Sequence, residues 1–235
     1  MPKHIVDIIL PAYHEQENIE KTISQIEKFV TTPHRTTIVL QDKKDPTLQR
    51  IKNLQKHTKN IYVVFTKNGI GMLKALKEGF AQTKLPIITI MMADLSDDAK
   101  DIDKMVAKIH EGYDFVCASR YTTKGKRNGG PIIKGFLSYF ACKTLSSLTG
   151  LPTQDATNAF KTFRRSLLKQ VTIESKEGFE LPLELSVKAF HIGMKITEIP
   201  TIWNDRKNGK SKFLLFKNIP LYFKWYRYGI NKKNQ

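Results

Sequence analysis

The chain has 235 residues, enough for one α/β domain with a sizeable core, and its 40% hydrophobic and 26% charged residues exclude a disordered chain. The formal net charge is +17 and the sequence pI is about 9.8, so we expect anionic partners. Two cysteines without metal-type spacing, Cys117 and Cys142, are typical of buried structural thiols. No apolar stretch approaches the roughly 18 residues of a membrane span, and residues 1–4 lead directly into a strand, so we expect a cytoplasmic protein.

Apolar, β-branched runs alternate with amphipathic segments in the first half of the chain. The predicted elements, in order, are a strand at 5–10, a helix at 15–30, a strand at 36–40, a helix at 48–57, a strand at 61–65, a helix opened by residues 69–71, a strand at 85–91, a helix at 101–111 and a strand at 113–118. Strands that alternate with helices predict a mostly parallel α/β sheet with right-handed crossovers.

The composition changes after Arg120. Residues 120–151 hold six Lys/Arg and no Asp or Glu, and apolar residues recur at helical spacing within residues 131–148. From Trp203 onward, nine Lys/Arg accompany a single acid. The aromatic residues mixed with basic ones at 212–230 are typical of a helix that lies in a membrane interface.

The sequence has no internal repeat, low-complexity segment or linker, so we expect one domain over residues 1–235. Residues 1–120 would form a nucleotide-handling half, and residues 121–235 a basic, amphipathic half that attaches to a membrane surface. Nucleic acid is not the expected partner, because the basic residues cluster with aromatic ones at amphipathic spacing rather than in a recognition motif.

Carboxylates follow the predicted fourth strand at once, in the sequence Met-Ala-Asp-Leu-Ser-Asp-Asp of residues 92–98. Open α/β sheets bind ligands at the carboxyl ends of their strands, where the oxygens of Asp94 suit Mg²⁺ or Mn²⁺ carrying a diphosphate. Met92 offers no second carboxylate, and Asp97 and Asp98 are expected to be solvated acids of the next helix's first turn. The loops after the earlier strands should reach the same edge; they contain residues 11–15, Asp42 and residues 69–71.

Six segments in a fixed order resemble motifs of the family 2 glycosyltransferases, and among them the dolichyl-phosphate mannose synthases and polyprenyl-phosphate glycosyltransferases. The resemblance runs from Val6 to about Lys212. It is carried by Pro-Ala-Tyr-His-Glu at 11–15, Lys-Asn-Gly-Ile-Gly at 67–71, Ala-Asp-Leu-Ser at 93–96, Ala-Ser-Arg-Tyr at 118–121, Asp-Ala-Thr-Asn-Ala-Phe-Lys at 155–161, and Glu-Ile-Pro at 198–200 followed by Arg206, Gly209, Ser211 and Lys212.

The resemblance implies a GT-A fold, that is, a Rossmann-like, mostly parallel α/β sheet flanked by helices, with C-terminal amphipathic interface helices. It implies a site for a nucleotide-diphosphate sugar formed by Pro11, Tyr13, Glu15, Asp42, Gly71 and Asp94. It implies a divalent cation, Mg²⁺ or Mn²⁺, bound by Asp94 and Ser96. It also implies that the acceptor phosphate and the donor diphosphate are bound by Arg120, Lys134, Ser138, Arg206 and Lys212. The catalytic residues it implies are Asp94, Arg120 and Arg206.

The implied reaction is an inverting transfer of a sugar to a polyprenyl or dolichyl phosphate by a peripheral protein at the cytosolic membrane face. The acceptor phosphate is already a nucleophilic anion, so the reaction needs positive charge rather than a strong base, and arginine suits phosphate geometry. Met92 and Gln41 stand where the family has acids, and Lys43 and Lys44 replace a Gly-Ser pair. These two lysines could partly replace a cation at the diphosphate.

Two other functions fit the sequence. Transfer to a hydroxyl of a glycan, lipid or protein would need a general base, for which Asp155 and Glu180 are the candidates. A catalytically weak, glycosyltransferase-like binding protein, recruited by its basic surface, is favoured by Met92 and Gln41. Comparing a lipid-phosphate acceptor with a sugar acceptor tests the first alternative, and binding of nucleotide sugars tests the second.

Overall fold

The computed structural model describes residues 4–67, 69–206 and 215–231. Its first half contains β1 (Val6–Ala12), α1 (Ile19–Phe29), β2 (His34–Leu40), α2 (Thr47–Gln55), β3 (Ile61–Phe65), α3 (Met72–Gln82), β4 (Ile87–Ile90), α4 (Asp101–His110) and β5 (Phe115–Ser119). Every element predicted for this half is therefore present. The helix expected from residue 15 begins later, because residues 15–18 form a turn in which the Ile19 N–H donates to the Glu15 carbonyl at 2.8 Å.

The second half contains two long helices and several shorter elements that the amphipathic pattern did not predict. In chain order they are β6 (Lys126–Asn128), α5 (Ile132–Thr149), β7 (Lys161–Arg164), α6 (Leu167–Gln170), α7 (Leu181–His191), β8 (Ile196–Pro200), β9 (Ile202–Asn204) and α8 (Leu215–Asn231). Of these, α5 matches the helix expected at 131–148, and α8 overlaps the segment 212–230.

Seven strands form one sheet in the order β3-β2-β1-β4-β7-β5-β8. Neighbouring strands are parallel except that β7 runs antiparallel to both β4 and β5. The prediction of a mostly parallel α/β sheet is confirmed. Because β7 and β8 come from residues after 120, the second half of the chain also builds the central sheet, which the prediction of a membrane-attaching half did not include.

Helices cover both faces of the sheet, so each strand buries alternate side chains in two layers. Along β1, Ile8 packs in the layer that contains α1 and α4, whereas Ile9 packs in the layer that contains α3, α5, α7 and α8. Cys117 and Cys142 lie in this second layer with 0% and 2% exposure, so the prediction of buried thiols is confirmed. Trp225 anchors α8 there, at 1% exposure.

A second, two-stranded sheet of β6 and β9 lies beside the carboxyl edge of the main sheet. Arg127 pairs in register with Trp203, and the Asn204 N–H donates to the Ser96 carbonyl at 3.0 Å, which ties β9 to the loop after β4. Within the ranges that the structure describes, none of the helices combines the length and the apolar character needed to cross a membrane.

Candidate active site

Four loops meet at the carboxyl edge of the sheet, where β1, β2, β3 and β4 end. In register, Ala12 lies opposite Leu40, and Leu40 lies opposite Phe65, so the ends of the first three strands are aligned. The edge therefore gathers the predicted nucleotide-binding residues: buried Pro11, half-buried Tyr13, Glu15 and Gly71, and exposed Asp42. The role of each in binding a nucleotide stays a prediction.

The loop after β1 is held in place by hydrogen bonds that it donates to the loop after β2 and to the start of α2. His14 has a left-handed φ of 58°, and its N–H donates to Asp45 Oδ2 at 2.9 Å. The Glu15 N–H donates to Thr47 Oγ1 at 2.8 Å, and Asn18 Nδ2 donates to Glu15 Oε2 at 2.7 Å. Burial raises the pKa of Glu15, although the hydrogen bond from Asn18 opposes this shift. These hydrogen bonds thus hold the Glu15 carboxylate at the carboxyl edge of the sheet, close to the start of α1.

The loops after β2 and β3 are tied to each other through Gln41. Its Oε1 accepts a hydrogen bond from the Gly71 N–H at 2.7 Å. Gly71 has a φ of 144°, a conformation that favours glycine. The neighbouring Asp42 accepts the Lys44 N–H at 2.9 Å, and Asp42, Lys43 and Lys44 are all exposed. Gln41 therefore holds the start of α3, a role that its departure from the family's pattern did not indicate.

Asp94 lies just after β4 and is paired with Arg206, although 112 positions separate them. Asp94 is 4% exposed; its Oδ2 accepts Arg206 Nη2 at 2.7 Å and its Oδ1 accepts the Ser96 N–H at 3.1 Å. Leu95 between them has a left-handed φ of 64°. The structure thus brings together the predicted metal-binding pair and one predicted phosphate-binding arginine.

The residues around Asp94 fit a divalent cation that takes most of its ligands from a bound diphosphate and water. Mg²⁺ in nucleotide sites is commonly held by one or two carboxylates plus substrate phosphates, and Asp94 with the Ser96 hydroxyl meets that need. Met92 lines the same cavity without an oxygen ligand. Within the described parts of the chain, no group of three or more His, Cys, Asp or Glu could hold a metal ion. Arg206 occupies one Asp94 oxygen, so a cation must share or displace that contact.

Asp97 corrects the prediction of a solvated first-turn acid. It is 4% exposed, its Oδ2 accepts the Met92 N–H at 2.9 Å, and α4 begins only at Asp101. Burial raises the pKa of Asp97 to about 7; the bond from Met92 lowers it, and nearby Asp94 raises it further. A run of acids before a helix indicated solvation, but the Asp97 carboxylate accepts the Met92 N–H within its own loop, a contact that the sequence does not reveal.

Arg120 is held by Asp155 in a bidentate ion pair. Arg120 Nε donates to Asp155 Oδ2 at 2.7 Å and Nη2 donates to Oδ1 at 2.8 Å, while the Arg120 N–H also reaches Oδ2 at 2.9 Å. Burial alone would lower the pKa of Arg120, but Asp155 raises it well above its usual value. The guanidinium is fixed at the cavity wall with its charge already compensated by Asp155.

The two candidate general bases for a hydroxyl acceptor are wrong. Asp155 is fully buried by its pairing with Arg120, and it does not line the cavity. Glu180 is also 0% exposed, and its oxygens accept backbone N–H groups of Lys176, Glu177 and Gly178 at 2.6, 3.1 and 2.9 Å. Both carboxylates hold loops in place, so neither can take a proton from an acceptor in the cavity.

A cavity of about 560 Å³ opens between the carboxyl edge and the helices α5 and α8. Its polar lining includes Asp94, Ser96, Arg120, Lys134, Ser138 and Arg206. The remaining walls are largely apolar and include Leu137, Phe140, Leu183, Ile219 and Phe223. The predicted phosphate-binding residues are thus brought together, with the exception of Lys212, which lies outside the described residues; their binding roles stay predictions.

Among the residues that line the cavity, Arg127 and Trp203 were not singled out as site residues from the sequence, and Asp97 was expected to be solvated. Arg127 was counted only as one of the basic residues after Arg120. Its setting in Gly-Lys-Arg-Asn-Gly-Gly, residues 125–130, is the one local signal that could have singled it out, because glycines on both sides allow close approach to a side chain.

The fold matches solved glycosyltransferase structures. Glucosyl-3-phosphoglycerate synthase from Mycobacterium tuberculosis in complex with phosphoglyceric acid superposes with a TM-score of 0.71 and 16% sequence identity, covering 98% of this chain and 80% of that one. The same enzyme in complex with Mn²⁺, uridine diphosphate and glucosyl-3-phosphoglycerate gives a TM-score of 0.70, with the same identity and coverage. The chain therefore has the GT-A fold, as the motifs implied.

The sequence model of glycosyl transferase family 2 matches residues 7–172, and the chain belongs to this family. Dolichol-phosphate mannosyltransferase from Pyrococcus furiosus is 26% identical over 231 residues, which are 94% of this chain and 64% of that protein. Polyprenol monophosphomannose synthase from Mycolicibacterium smegmatis is 22% identical over 211 residues, 87% of this chain and 79% of that protein. The chain thus spans only about two thirds of the Pyrococcus relative's length.

Proposed function

We propose that the protein transfers a sugar from a nucleotide-diphosphate sugar to a polyprenyl or dolichyl phosphate, with inversion at the anomeric carbon. The observation that carries this proposal is one cavity lined both by basic and polar side chains and by apolar ones, as an acceptor with a phosphate head and a hydrocarbon tail requires. The relatives named for dolichol phosphate and polyprenol support the acceptor class. The uridine diphosphate complexes of the structural neighbour support a nucleotide donor.

The donor would lie along the carboxyl edge. Its nucleoside would contact the loops that carry Tyr13, Glu15 and Asp42, and its diphosphate would lie next to Asp94 and Arg206. A divalent cation bound through Asp94 and Ser96 would neutralise the charge that develops on the leaving nucleoside diphosphate. Arg206 adds a permanent positive charge at the same place, where planar guanidinium geometry suits phosphate oxygens.

The acceptor phosphate would lie between Arg120 and the start of α5, within reach of Lys134 and Ser138. One of its oxygens forms a bond to the anomeric carbon while the bond from that carbon to the nucleoside diphosphate oxygen breaks, so the configuration inverts. The phosphate needs no deprotonation by the protein, which agrees with the burial of Asp155 and Glu180 away from the cavity.

We also propose that the protein works at the cytosolic face of a membrane as a peripheral protein. Ile132, Ile133 and Phe136 of α5 are 85%, 69% and 65% exposed, and Phe140 and Phe223 continue this apolar surface to the cavity mouth. An interface in which these side chains enter the lipid would deliver the isoprenoid tail to the cavity. Co-sedimentation with anionic vesicles should fall for Ile133→Asp and not for Lys52→Asp, a substitution on the distant helix α2.

A comparison of two prenyl compounds, one with a phosphate and one with a hydroxyl, tests the acceptor class. Purified protein is incubated with each of several labelled nucleotide-diphosphate sugars, Mn²⁺, and either farnesyl phosphate or farnesol. We expect a labelled lipid product from the phosphate alone. Product from farnesol or from a sugar acceptor would contradict the proposal, and the absence of any nucleotide-sugar binding in a thermal-shift panel would favour the binding-protein alternative.

A further inference from the structure

The side chain of Arg127 is held in a cradle at the mouth of the cavity. Arg127 lies on β6 opposite Trp203 of β9, and its guanidinium carbon is 5.3 Å from the centre of the Trp203 ring. Its Nη2 donates to the Pro131 carbonyl at 3.2 Å, just before α5 begins. A Cβ added at Gly130 or Gly135 would collide with the guanidinium nitrogens of Arg127. Two glycines, a tryptophan face and a carbonyl therefore confine one arginine side chain.

Arg127 differs in charge balance from the other arginines of the cavity. Arg120 is neutralised by Asp155, and Arg206 by Asp94, each at 2.7 Å. Arg127 forms no ion pair with an acidic side chain in the portion of the chain that the structure describes, although it lines the same cavity. A charge that is confined by packing and left without an acidic partner is available to an anionic ligand.

We propose that Arg127 binds the phosphate of the lipid acceptor and positions it for attack. This inference rests on the proposed function. The Arg127 guanidinium reaches the residue just before α5, the helix with the exposed apolar side chains, whereas Asp94 and Glu15 lie at the carboxyl edge where the donor would bind. The Trp203 face and the two glycines hold the planar guanidinium before the ligand arrives, so less conformational freedom is lost on binding.

Steady-state kinetics with farnesyl phosphate test the assignment. We expect Arg127→Ala to raise the acceptor KM roughly 10- to 100-fold, the range for losing a charged hydrogen-bonded contact, and to leave the donor KM unchanged. Arg127→Lys keeps the charge without the planar fork and should give a smaller rise. The matched control is Lys126→Ala, which removes a neighbouring exposed charge that does not line the cavity. An equal rise in donor KM, or the same loss for Lys126→Ala, would overturn the proposal.

Gly135→Ala tests the cradle without altering a charged group. Gly135 lies inside α5, where alanine favours the helix, so the melting temperature should stay the same or rise by about 2–4 °C. The added Cβ should nevertheless displace the guanidinium group of Arg127 and raise the acceptor KM. In Arg127→Ala the same glycine change should add nothing, because the group it displaces is gone. Additive losses in the double variant would show that Gly135 does not act through Arg127.

Trp203 fluorescence separates failure of this inference from failure of the proposed function. Without any donor, farnesyl phosphate should change the emission of the wild type, while farnesol should not, and Trp203→Phe and Arg127→Ala should each abolish the change. A wild type that shows this response but transfers no sugar would sink the proposed function and leave Arg127 as a phosphate-binding residue. Equal sugar transfer by the wild type and by Arg127→Ala would sink the inference and leave the proposed function intact.

Discussion

The loops after β1, β2, β3 and β4 form the proposed donor edge, and Arg120, Arg127 and α5 form the proposed acceptor side of the cavity. The two are built in different ways. At the donor edge, each loop directly follows a strand, and the loops are tied to one another by short hydrogen bonds such as that between Gly71 and Gln41. On the acceptor side, the buried Asp155 holds Arg120, while Arg127 is held by the pairing of β6 with β9 and by its hydrogen bond to the Pro131 carbonyl just before α5. Each loop of the donor edge is thus positioned by the strand that it follows, whereas the acceptor side depends on two short strands and a buried ion pair, and substitutions should affect the two sides differently.

Loss of the Asp94 carboxylate should have the largest effect. Asp94→Ala removes the predicted cation ligand and the partner of Arg206, and we expect transfer to fall by at least about 10³-fold. The protein should remain folded, which circular dichroism and the melting temperature check. Asp98→Asn is the matched control, since Asp98 is half-buried and only accepts the Lys100 N–H at 3.0 Å. Substantial activity in Asp94→Ala would refute its role at the donor edge.

Replacing Arg120 should affect both the stability of the protein and its binding of the acceptor. Arg120→Ala leaves Asp155 buried without its partner, which typically costs about 3–5 kcal/mol, and urea unfolding measures this loss. Combining Arg120→Gln with Asp155→Asn should recover part of the stability, because a neutral pair keeps hydrogen bonds, but not the acceptor KM. If the double variant also regains normal acceptor KM, or if Arg120→Ala weakens donor and acceptor alike, Arg120 is not an acceptor-binding residue.

Asp97, beside the donor edge, should give a pH-dependent stability. Its pKa is about 7 in the folded chain against 3.8 as the ordinary value, so between these pH values the folded chain keeps a proton that the unfolded chain releases. The free energy of unfolding should therefore fall as pH rises through this range, by about 4 kcal/mol at most, and stay level above it. Because the asparagine in Asp97→Asn cannot titrate, the urea midpoint of this variant minus that of the wild type should increase between pH 5 and pH 8. A difference that is constant with pH would contradict this.

The strand ends at the donor edge were readable from the sequence because each obeys local rules. The strand before Asp94 is apolar and short, and a carboxylate directly after it lies at the carboxyl edge in any parallel arrangement. The same reasoning located Glu15 and Asp42 correctly. It failed for Asp97, which is buried and accepts the Met92 N–H instead of being solvated at the start of a helix.

The acceptor side resisted prediction because its contacts join distant segments. β7 is antiparallel and inserts between β4 and β5, and the strands β6 and β9 have three residues each, too short for a periodic pattern. The pairing of Arg120 with Asp155 spans 35 positions, so a carboxylate that looked like a candidate base is a structural partner. Arg127 likewise becomes distinctive only when Trp203 and Gly135 lie against it.

Gln41 gives the smallest expected effect and tests whether the donor edge works as one unit. Gln41→Ala removes a single hydrogen bond to the Gly71 N–H, which should lower the free energy of unfolding by about 1 kcal/mol. Because this bond positions the start of α3 and not the helix α5, the donor KM should rise while the acceptor KM stays the same. Gln41→Glu keeps an acceptor for the Gly71 N–H and should restore most of the stability. An acceptor KM that rises with the donor KM would mean that the two sides of the cavity are coupled through this loop.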